Sequence, residues 1–243
     1  MAKFGLIGRN IDYSFSKGFF TKKFEEEALD HSYENYDIDS ITSFPEIVES
    51  IQDLRGLNVT IPYKEAIIPY LDKLHKQAKK IGAVNTIKIT KKGKLIGYNT
   101  DYYGFKNSLQ PLLHSHHSKA LVLGTGGASK AIVHALKKLD ISYAFVSRQS
   151  SPIAKFTYNT LTEDIIDRFS IIINCTPLGT YPNVNDRPEI PYKAISSKHI
   201  LYDLIYNPKE TAFLKQGNKQ GATVYNGKKM LELQANKAWE IWQ

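Results

Sequence analysis

The chain has 243 residues, 42% of them hydrophobic and 23% charged, and its Lys+Arg 32 against Asp+Glu 24 give a formal net charge of +8. That length accommodates one large domain or two modest ones with a real core, and no apolar run is long enough to cross a bilayer. The single cysteine, Cys175, excludes an internal disulfide and suits a reducing compartment.

The opening MAKFGLIGRN lacks an apolar h-region and a cleavage site, so it reads as a strand and not a secretory signal, and the expected location is the cytoplasm. KFGLIG, a helix from about Ser16 to Asp30, SYENYDI, a helix near Phe44 to Gln52, and LNVTI then follow in a βαβ rhythm. Ser16 is placed to cap its helix. Ile87 to Tyr98 reads as a hairpin turning at Lys92-Gly93, which makes the first sheet mixed. After Asp101 come a helix through Leu113, ALVLGTGG, a helix from about Ala128 to Lys138, ISYAFVSR, SIIINCTP, HILYDLIYNP, a helix near Thr211 to Gln216, and ATVYNG. Strands separated by helices imply a parallel, doubly wound sheet, with the boundary between the two halves near Thr100. The end of the chain, KKMLELQANKAWEIWQ, has apolar Met230, Leu231, Leu233, Ala238, Trp239 and Trp242, an amphipathic helix that must dock somewhere.

In VLGTGGAS, Gly124, Gly126 and Gly127 sit after an apolar strand and before a helical pattern. Glycines there let the backbone turn and approach a pyrophosphate, whose charge the N–H groups of the next helix stabilise. Ser129 stands where the third glycine of the dinucleotide fingerprint belongs, so a merely tight βα turn is the alternative. The second strand of this half ends at Ser147-Arg148, with no acid before Glu163. An arginine there accommodates a 2′-phosphate and favours NADP over NAD; the alternative is an ordinary surface arginine.

GLNVTIPYKE places Asn58 and Thr60 on one strand face, and Pro62 is expected to open a helix whose first turn holds Lys64. A cation near a helix N-terminus opposes the dipole, an effect that suits a proton shuttle. GAVNTI offers Asn85 at the start of the hairpin, and GYNTDYYG offers Asn99 and Asp101 at its end, with Thr100 capping the next helix. Ser14 and Ser16 lie in DYSFSK after the first strand. HSHH (114–117) reads as an exposed polar connection, and Cys175 as a small buried residue, so no metal site is expected. Lysines occur in short groups such as KKGK (91–94), without the interleaved aromatics of a nucleic-acid surface.

Taken in order, YSFS, NVTIPYK, GAVNT, GYNTDYYG, GTGGAS, NCTPLGT, YDLIYNP and NGKKMLELQA resemble the shikimate dehydrogenase family over nearly the whole chain. The resemblance implies reversible NADPH-dependent reduction of 3-dehydroshikimate to shikimate, a step in aromatic amino acid biosynthesis, with NADP(H) as cofactor and no metal. Lys64 and Asp101 match the catalytic pair. Ser14, Ser16, Asn58, Thr60, Asn85 and Gln234 match positions that bind the substrate's carboxylate and hydroxyls, and Tyr206 matches another that reaches the substrate. Gly124, Gly126, Gly127, Ala128 and Ser129 match the cofactor loop, joined by Ser147, Arg148, Thr176 and Gly227.

The resemblance also returns the last helix to the first domain. The expected organisation is therefore α/β in two domains: residues 1–100 plus 228–243 with a mixed sheet for substrate and catalysis, and residues 101–227 as a Rossmann-like NADP-binding domain. The partner is a small-molecule substrate, without nucleic acid or membrane, in a monomer or homodimer. Three departures stand out: Lys17 replaces the proline usual after the paired serines, SRQ at 147–149 replaces the usual NRT, and the connections between elements are short for the family. The rivals are an NAD-using quinate/shikimate dehydrogenase, a catalytically silent cofactor-binding module and a nucleic-acid binder. Lys64 either transfers the proton or orients the substrate.

Overall fold

The βαβ rhythm is present in the computed structural model, which describes residues 1–12 and 14–243; Tyr13 of the YSFS motif lies outside them. The chain divides into two units, Met1–Tyr103 with Gln234–Gln243, and Gly104–Leu233.

The first unit contains β1 (Ala2–Gly8), α1 (Phe15–Glu26), β2 (His31–Asp37), α2 (Phe44–Ser50), β3 (Leu54–Val59), β4 (Lys73–Leu74), α3 (Lys76–Ile81), β5 (Thr86–Ile89) and β6 (Leu95–Tyr98). Its sheet order is β2-β1-β3-β5-β6-β4. β1 is parallel to β2 and β3, whereas β5 is antiparallel to β3 and β6, so the sheet is mixed as the hairpin required. Side chains alternate between two cores by the strand period of two. Ile7, Leu57, Val59 and Ile87 face one, with Phe44. Phe4, Leu6 and Tyr33 face the other, where Phe20 and Phe24 of α1 meet Ala235, Ala238 and Trp242.

Trp242 stacks on Phe4 at 4.9 Å between ring centroids and donates its indole N–H to the Ile87 carbonyl at 2.9 Å. Burying so large a ring with its polar atom satisfied is worth about 3 kcal/mol or more. This is how the amphipathic end of the chain docks in the first unit.

Two local expectations are corrected. The cap of α1 is Ser14, whose Oγ accepts the Lys17 N–H at 3.2 Å, so Ser16 lies inside the first turn. Both serines satisfy the local rule, and only Ser14 accepts a backbone N–H there. The helix also stops at Glu26, because Ala28 takes φ 50 and the Leu29 N–H turns back to the Phe24 carbonyl at 2.9 Å. Second, no α-helix follows Pro62: residues 61–67 are turns leading to a single 3-10 turn, Ile68–Tyr70. The Lys64 carbonyl accepts from the Val84 N–H at 2.7 Å, while the Ile68 N–H goes to the Glu65 carbonyl at 3.1 Å. The bond that would continue a helix is thus spent across the chain, and the dipole effect expected on Lys64 has no helix to produce it.

The chain passes between the units within α4 (Asp101–Leu109) and α8 (Lys228–Trp242). The second unit holds β7 (Lys119–Leu123), α5 (Gly127–Lys138), β8 (Ser142–Ser147), β9 (Ala154–Thr157), α6 (Glu163–Asp167), β10 (Ile171–Asn174), β11 (Ile200–Asp203), α7 (Ala212–Lys219) and β12 (Thr223–Tyr225). Its strand order, β12-β11-β10-β7-β8-β9, is parallel throughout and is that of a dinucleotide-binding Rossmann sheet. β10 and β11 are buried along their whole length, as parallel central strands require. The HSHH segment is less exposed than expected. His117 is buried, its Nδ1 accepting the His114 N–H at 2.8 Å and its Nε2 facing the Lys198 carbonyl at 3.2 Å. Burial, followed by the neighbouring His116, holds its pKa below the usual imidazole range.

A buried carboxylate ends β11. Asp203 accepts from Asn174 Nδ2 at 3.1 Å, the Ile205 N–H at 3.0 Å and Thr211 Oγ1 at 2.6 Å, yet burial pushes its pKa from 3.8 up to about 6. The folded chain therefore holds this proton more tightly than the unfolded chain. The resulting stabilisation is complete below the unfolded pKa and is lost as pH rises through the folded one. Asp203→Asn removes that titration. Its stability relative to wild type is expected to rise by about 2–3 kcal/mol between about pH 4 and pH 7, read from urea unfolding at both pH values. A difference independent of pH would contradict this assignment.

Candidate active site

In the first unit the strand register sets Asn58 of β3 opposite Thr86 of β5, and Thr86 opposite Tyr98 of β6. Residues flanking these strands converge on Asp101 at the start of α4. Lys64 Nζ lies 2.7 Å from Asp101 Oδ2, with the two side chains 20% and 6% exposed. Asp101 Oδ1 accepts from Asn85 Nδ2 at 2.9 Å. Asn85 is itself clamped: its Oδ1 accepts the Thr100 N–H at 2.6 Å, and its Nδ2 also reaches Thr100 Oγ1 at 3.1 Å and Gln234 Oε1 at 3.0 Å. An amide nitrogen carries two hydrogens, so these acceptors share them.

Asn58 is held as firmly. Its Nδ2 donates to the Asn85 carbonyl and to Thr86 Oγ1, each at 3.3 Å, and its Oδ1 accepts from the Tyr33 hydroxyl at 2.7 Å. Thr60 leaves β3 with its N–H on the Ile7 carbonyl at 2.9 Å. Asn99 Oδ1 takes the Tyr102 N–H at 3.3 Å, while the Thr100 hydroxyl is turned toward Asn85 and Thr86. Ser14 and Ser16 come from the N-terminal turn of α1. On the same face of β2, Asp37 accepts the Asn10 and Ile11 N–H groups at 3.0 and 2.9 Å, and Asn35 Nδ2 donates to the Ile11 carbonyl at 2.9 Å, which ties down Asn10 and Ile11 after β1.

The structure therefore joins Lys64, Asp101, Asn85 and Gln234 in one hydrogen-bonded group, and Asn58, Tyr33 and Thr86 in a second that meets it at Asn85. A partly buried ammonium paired this closely is costly to leave without its carboxylate, so the pair behaves as a unit. Its surroundings of amides and hydroxyls suit a small polyhydroxylated acid, and the ammonium can serve a carbonyl oxygen. Sequence reasoning passed over Tyr33 and Thr86. Tyr33 alternates with polar residues in SYENYDI and reads as a core aromatic; nothing local marks its hydroxyl.

In the second unit the glycine turn has the required form. Gly124 takes φ 96, and a Cβ there would also stand 3.0 Å from Thr176 Cγ2. Gly126 caps α5 in extended conformation, and Gly127 and Ala128 begin the helix. Ser129, in place of the third glycine, is buried and donates its hydroxyl to the Gly126 carbonyl at 2.7 Å, so the substitution ties the turn together. The amides at this helix start fit a pyrophosphate. Thr176 is fixed by its Oγ1 and N–H on Asn174 Oδ1, at 2.7 and 3.0 Å.

Ser147 ends β8 with its hydroxyl on the Gln149 carbonyl, and Arg148 follows it, exposed. Gly227 has a separate packing reason: a Cβ there would stand 2.1 Å from the Leu204 carbonyl oxygen. Tyr206 is half-buried, with its phenol pushed up by burial. Burial also raises the Cys175 thiol, followed by the nearby Asp203, which removes the thiolate a nucleophile needs. Among the described residues no group of three or more His, Cys, Asp or Glu is placed to hold a metal ion, and no helix is long and apolar enough to cross a membrane.

A dinucleotide-type Rossmann sheet with this glycine turn, in one chain with a largely buried Lys–Asp pair among amides and hydroxyls, defines the class of two-domain nicotinamide-dependent oxidoreductases. A profile of the shikimate dehydrogenase substrate binding domain matches residues 6–87. Over 248 residues the chain is 38% identical to the shikimate dehydrogenase (NADP(+)) of Clostridium botulinum strain Hall, covering 98% of this chain and 95% of that protein. The crystal structure of shikimate dehydrogenase from Aquifex aeolicus matches with a TM-score of 0.88 at 33% identity, covering 100% of this chain and 92% of that one. The enzyme from Thermus thermophilus, solved in complex with NADP(H) and shikimate, matches with a TM-score of 0.88 at 28% identity, covering 100% and 94%. The chain belongs to the shikimate dehydrogenase family.

Proposed function

We infer that the chain catalyses the reversible, NADPH-dependent reduction of 3-dehydroshikimate to shikimate. The observation that carries the reading is the 2.7 Å Lys64–Asp101 pair bonded through Asn85 to Gln234, in a family whose members are named for this reaction. In this reading residues 1–100 plus 228–243 hold the substrate and residues 101–227 hold the cofactor. Gly124, Gly126, Gly127, Ala128, Ser129 and Thr176 would hold the pyrophosphate side of NADP(H), Ser147 and Arg148 its 2′-phosphate, and Gly227 would complete the site. When bound, NADP(H) supplies the hydride that reaches the carbonyl carbon.

The chain's own part is the proton and the geometry. Lys64 faces the carbonyl oxygen and donates the proton, or holds that oxygen while solvent supplies it; Asp101 keeps the ammonium in place. Ser14, Ser16, Asn58, Thr60, Asn85, Gln234 and Tyr206 bind the carboxylate and hydroxyls, fixing which ring carbon receives the hydride. The protein works in the cytoplasm as a monomer or homodimer. Absorbance at the nicotinamide band with shikimate and NADP+ tests the activity, with quinate and NAD+ as controls. Reduction is expected with the first pair, and none with it, or preference for quinate with NAD+, overturns the reading.

A further inference from the structure

Asn174 and Asp203 end the adjacent parallel strands β10 and β11, face each other in the register and are both 0% exposed. A doubly wound sheet binds its ligand beyond these carboxyl ends, so the charge lies beneath the cofactor crevice. The Asp203 carboxylate takes three donors, and each leads to a different segment. Through Thr211, whose Oγ1 also accepts the Leu214 N–H at 3.3 Å, it is anchored on the cap of α7. Through Asn174 it reaches Thr176. The Asn174 Nδ2 also donates to the Leu178 carbonyl at 3.3 Å, and a carbonyl only accepts, so the amide cannot reverse and its Oδ1 stays on the Thr176 hydroxyl and N–H. Through the Ile205 N–H it reaches Gly227, since the Ile205 carbonyl accepts the Gly227 N–H at 3.1 Å, and the Leu204 N–H returns to the Asn174 carbonyl at 3.1 Å. Tyr206 follows directly on this segment.

Stability alone disfavours a charge in this place. Burial raises its pKa to about 6, so above that pH the fold carries the carboxylate at a cost. We propose that Asp203 is a positioning residue for the cofactor: it fixes segments 174–178 and 204–206 to each other, and through them holds Thr176 and Gly227 at the spacing that NADP(H) needs. Thr176 carries the placement on to the glycine turn, because its Cγ2 stands 3.0 Å from where a Gly124 Cβ would lie. Without the carboxylate, Asn174 Nδ2 and the Ile205 N–H lose their common acceptor. The two segments then have to be ordered at the moment of binding, which weakens affinity. In the reading above the substrate is bound mainly by residues of the other unit, Ser14, Ser16, Asn58, Thr60, Asn85 and Gln234, so its affinity moves less.

The proposal rests on the cofactor reading above, and the test separates the two. Calorimetric titration of NADP+ into the wild-type protein, together with turnover of shikimate, checks the reading; absence of either overturns that reading before Asp203 is reached. Given both, variants are compared well above pH 6, where Asp203 is ionised. Asp203→Ala is expected to raise the Kd for NADP+ about tenfold or more, and Asp203→Asn, which still offers an oxygen to Asn174 and Ile205, about threefold. The KM for shikimate should stay within about twofold in both. A loss of packing alone would move the two ligands together. Thr176→Val removes the hydroxyl at the far end of the relay, so adding Asp203→Asn to it should raise the NADP+ Kd by less than the product of the single effects. An unchanged NADP+ Kd in folded Asp203→Ala, or equal changes in the NADP+ Kd and the shikimate KM, overturns the proposal. If Asp203→Ala does not fold, multiplicative effects of Asp203→Asn and Thr176→Val overturn it by themselves.

Discussion

Lys64→Ala is expected to lower kcat by about 10²- to 10⁴-fold while affinity for shikimate changes far less, because a proton donor acts chiefly in the transition state. The motive is geometric: Nζ sits 2.7 Å from a carboxylate whose side chain is 6% exposed, so the ammonium is held where a carbonyl oxygen can meet it. The substitution also strands Asp101, whose Oδ1 keeps only the Asn85 amide among the contacts described above. Breaking such a pair from one side costs up to about 3–5 kcal/mol, less here because Lys64 is 20% exposed. Stability and chemistry must therefore be separated. The Lys64→Ala, Asp101→Asn double variant should recover most of the lost thermal stability and none of the turnover. Near-normal kcat in folded Lys64→Ala would remove the lysine from the mechanism.

Arg148→Ala should cut kcat/KM for NADP+ by about ten- to a hundredfold and leave NAD+ nearly untouched, the worth of a charge-assisted contact of about 1.5–3 kcal/mol. Arg148 follows directly on β8, at the end of the second Rossmann strand, where an enzyme that binds the ribose 2′-OH places an acid. The pairing of Ser147 with Thr157 also brings β9 alongside, and Lys155 on that strand is exposed. A second cation nearby would share the phosphate and soften the loss. Raising the ionic strength should narrow the gap between the cofactors, since the contact is exposed to solvent. Equal effects on NADP+ and NAD+ would reduce Arg148 to a surface residue.

What was legible in the sequence was whatever repeats locally. The period of two in KFGLIG and LNVTI, the glycine turn between an apolar strand and a helix, and the hairpin at Gly93 each depend on a few neighbouring residues. All of them appear in the fold, including a mixed first sheet and a parallel second one. The chemical residue types were visible too, since an amide, a hydroxyl and a lysine in NVTIPYK have few structural reasons to stand together.

Where several local solutions were nearly equal, tertiary contacts chose. Ser14 and Ser16 both satisfy the capping rule, and in the fold it is Ser14 that accepts the Lys17 N–H, with α1 starting at Phe15. Pro62 is a good first residue of a helix, yet the Lys64 carbonyl is worth more on the Val84 amide at 2.7 Å than in a helix that would carry Lys64 away from Asp101. The polar HSHH run suggested exposure, and the Lys198 carbonyl buried His117.

The working contacts join residues far apart in the chain: Lys64 to Asp101, Asn85 to Gln234, Tyr33 to Asn58. Sequence alone determined which elements form and which groups are available to the site. Only the tertiary structure decided which hydroxyl and which amide face each other, because a buried polar group takes whatever partner the packing brings within about 3 Å.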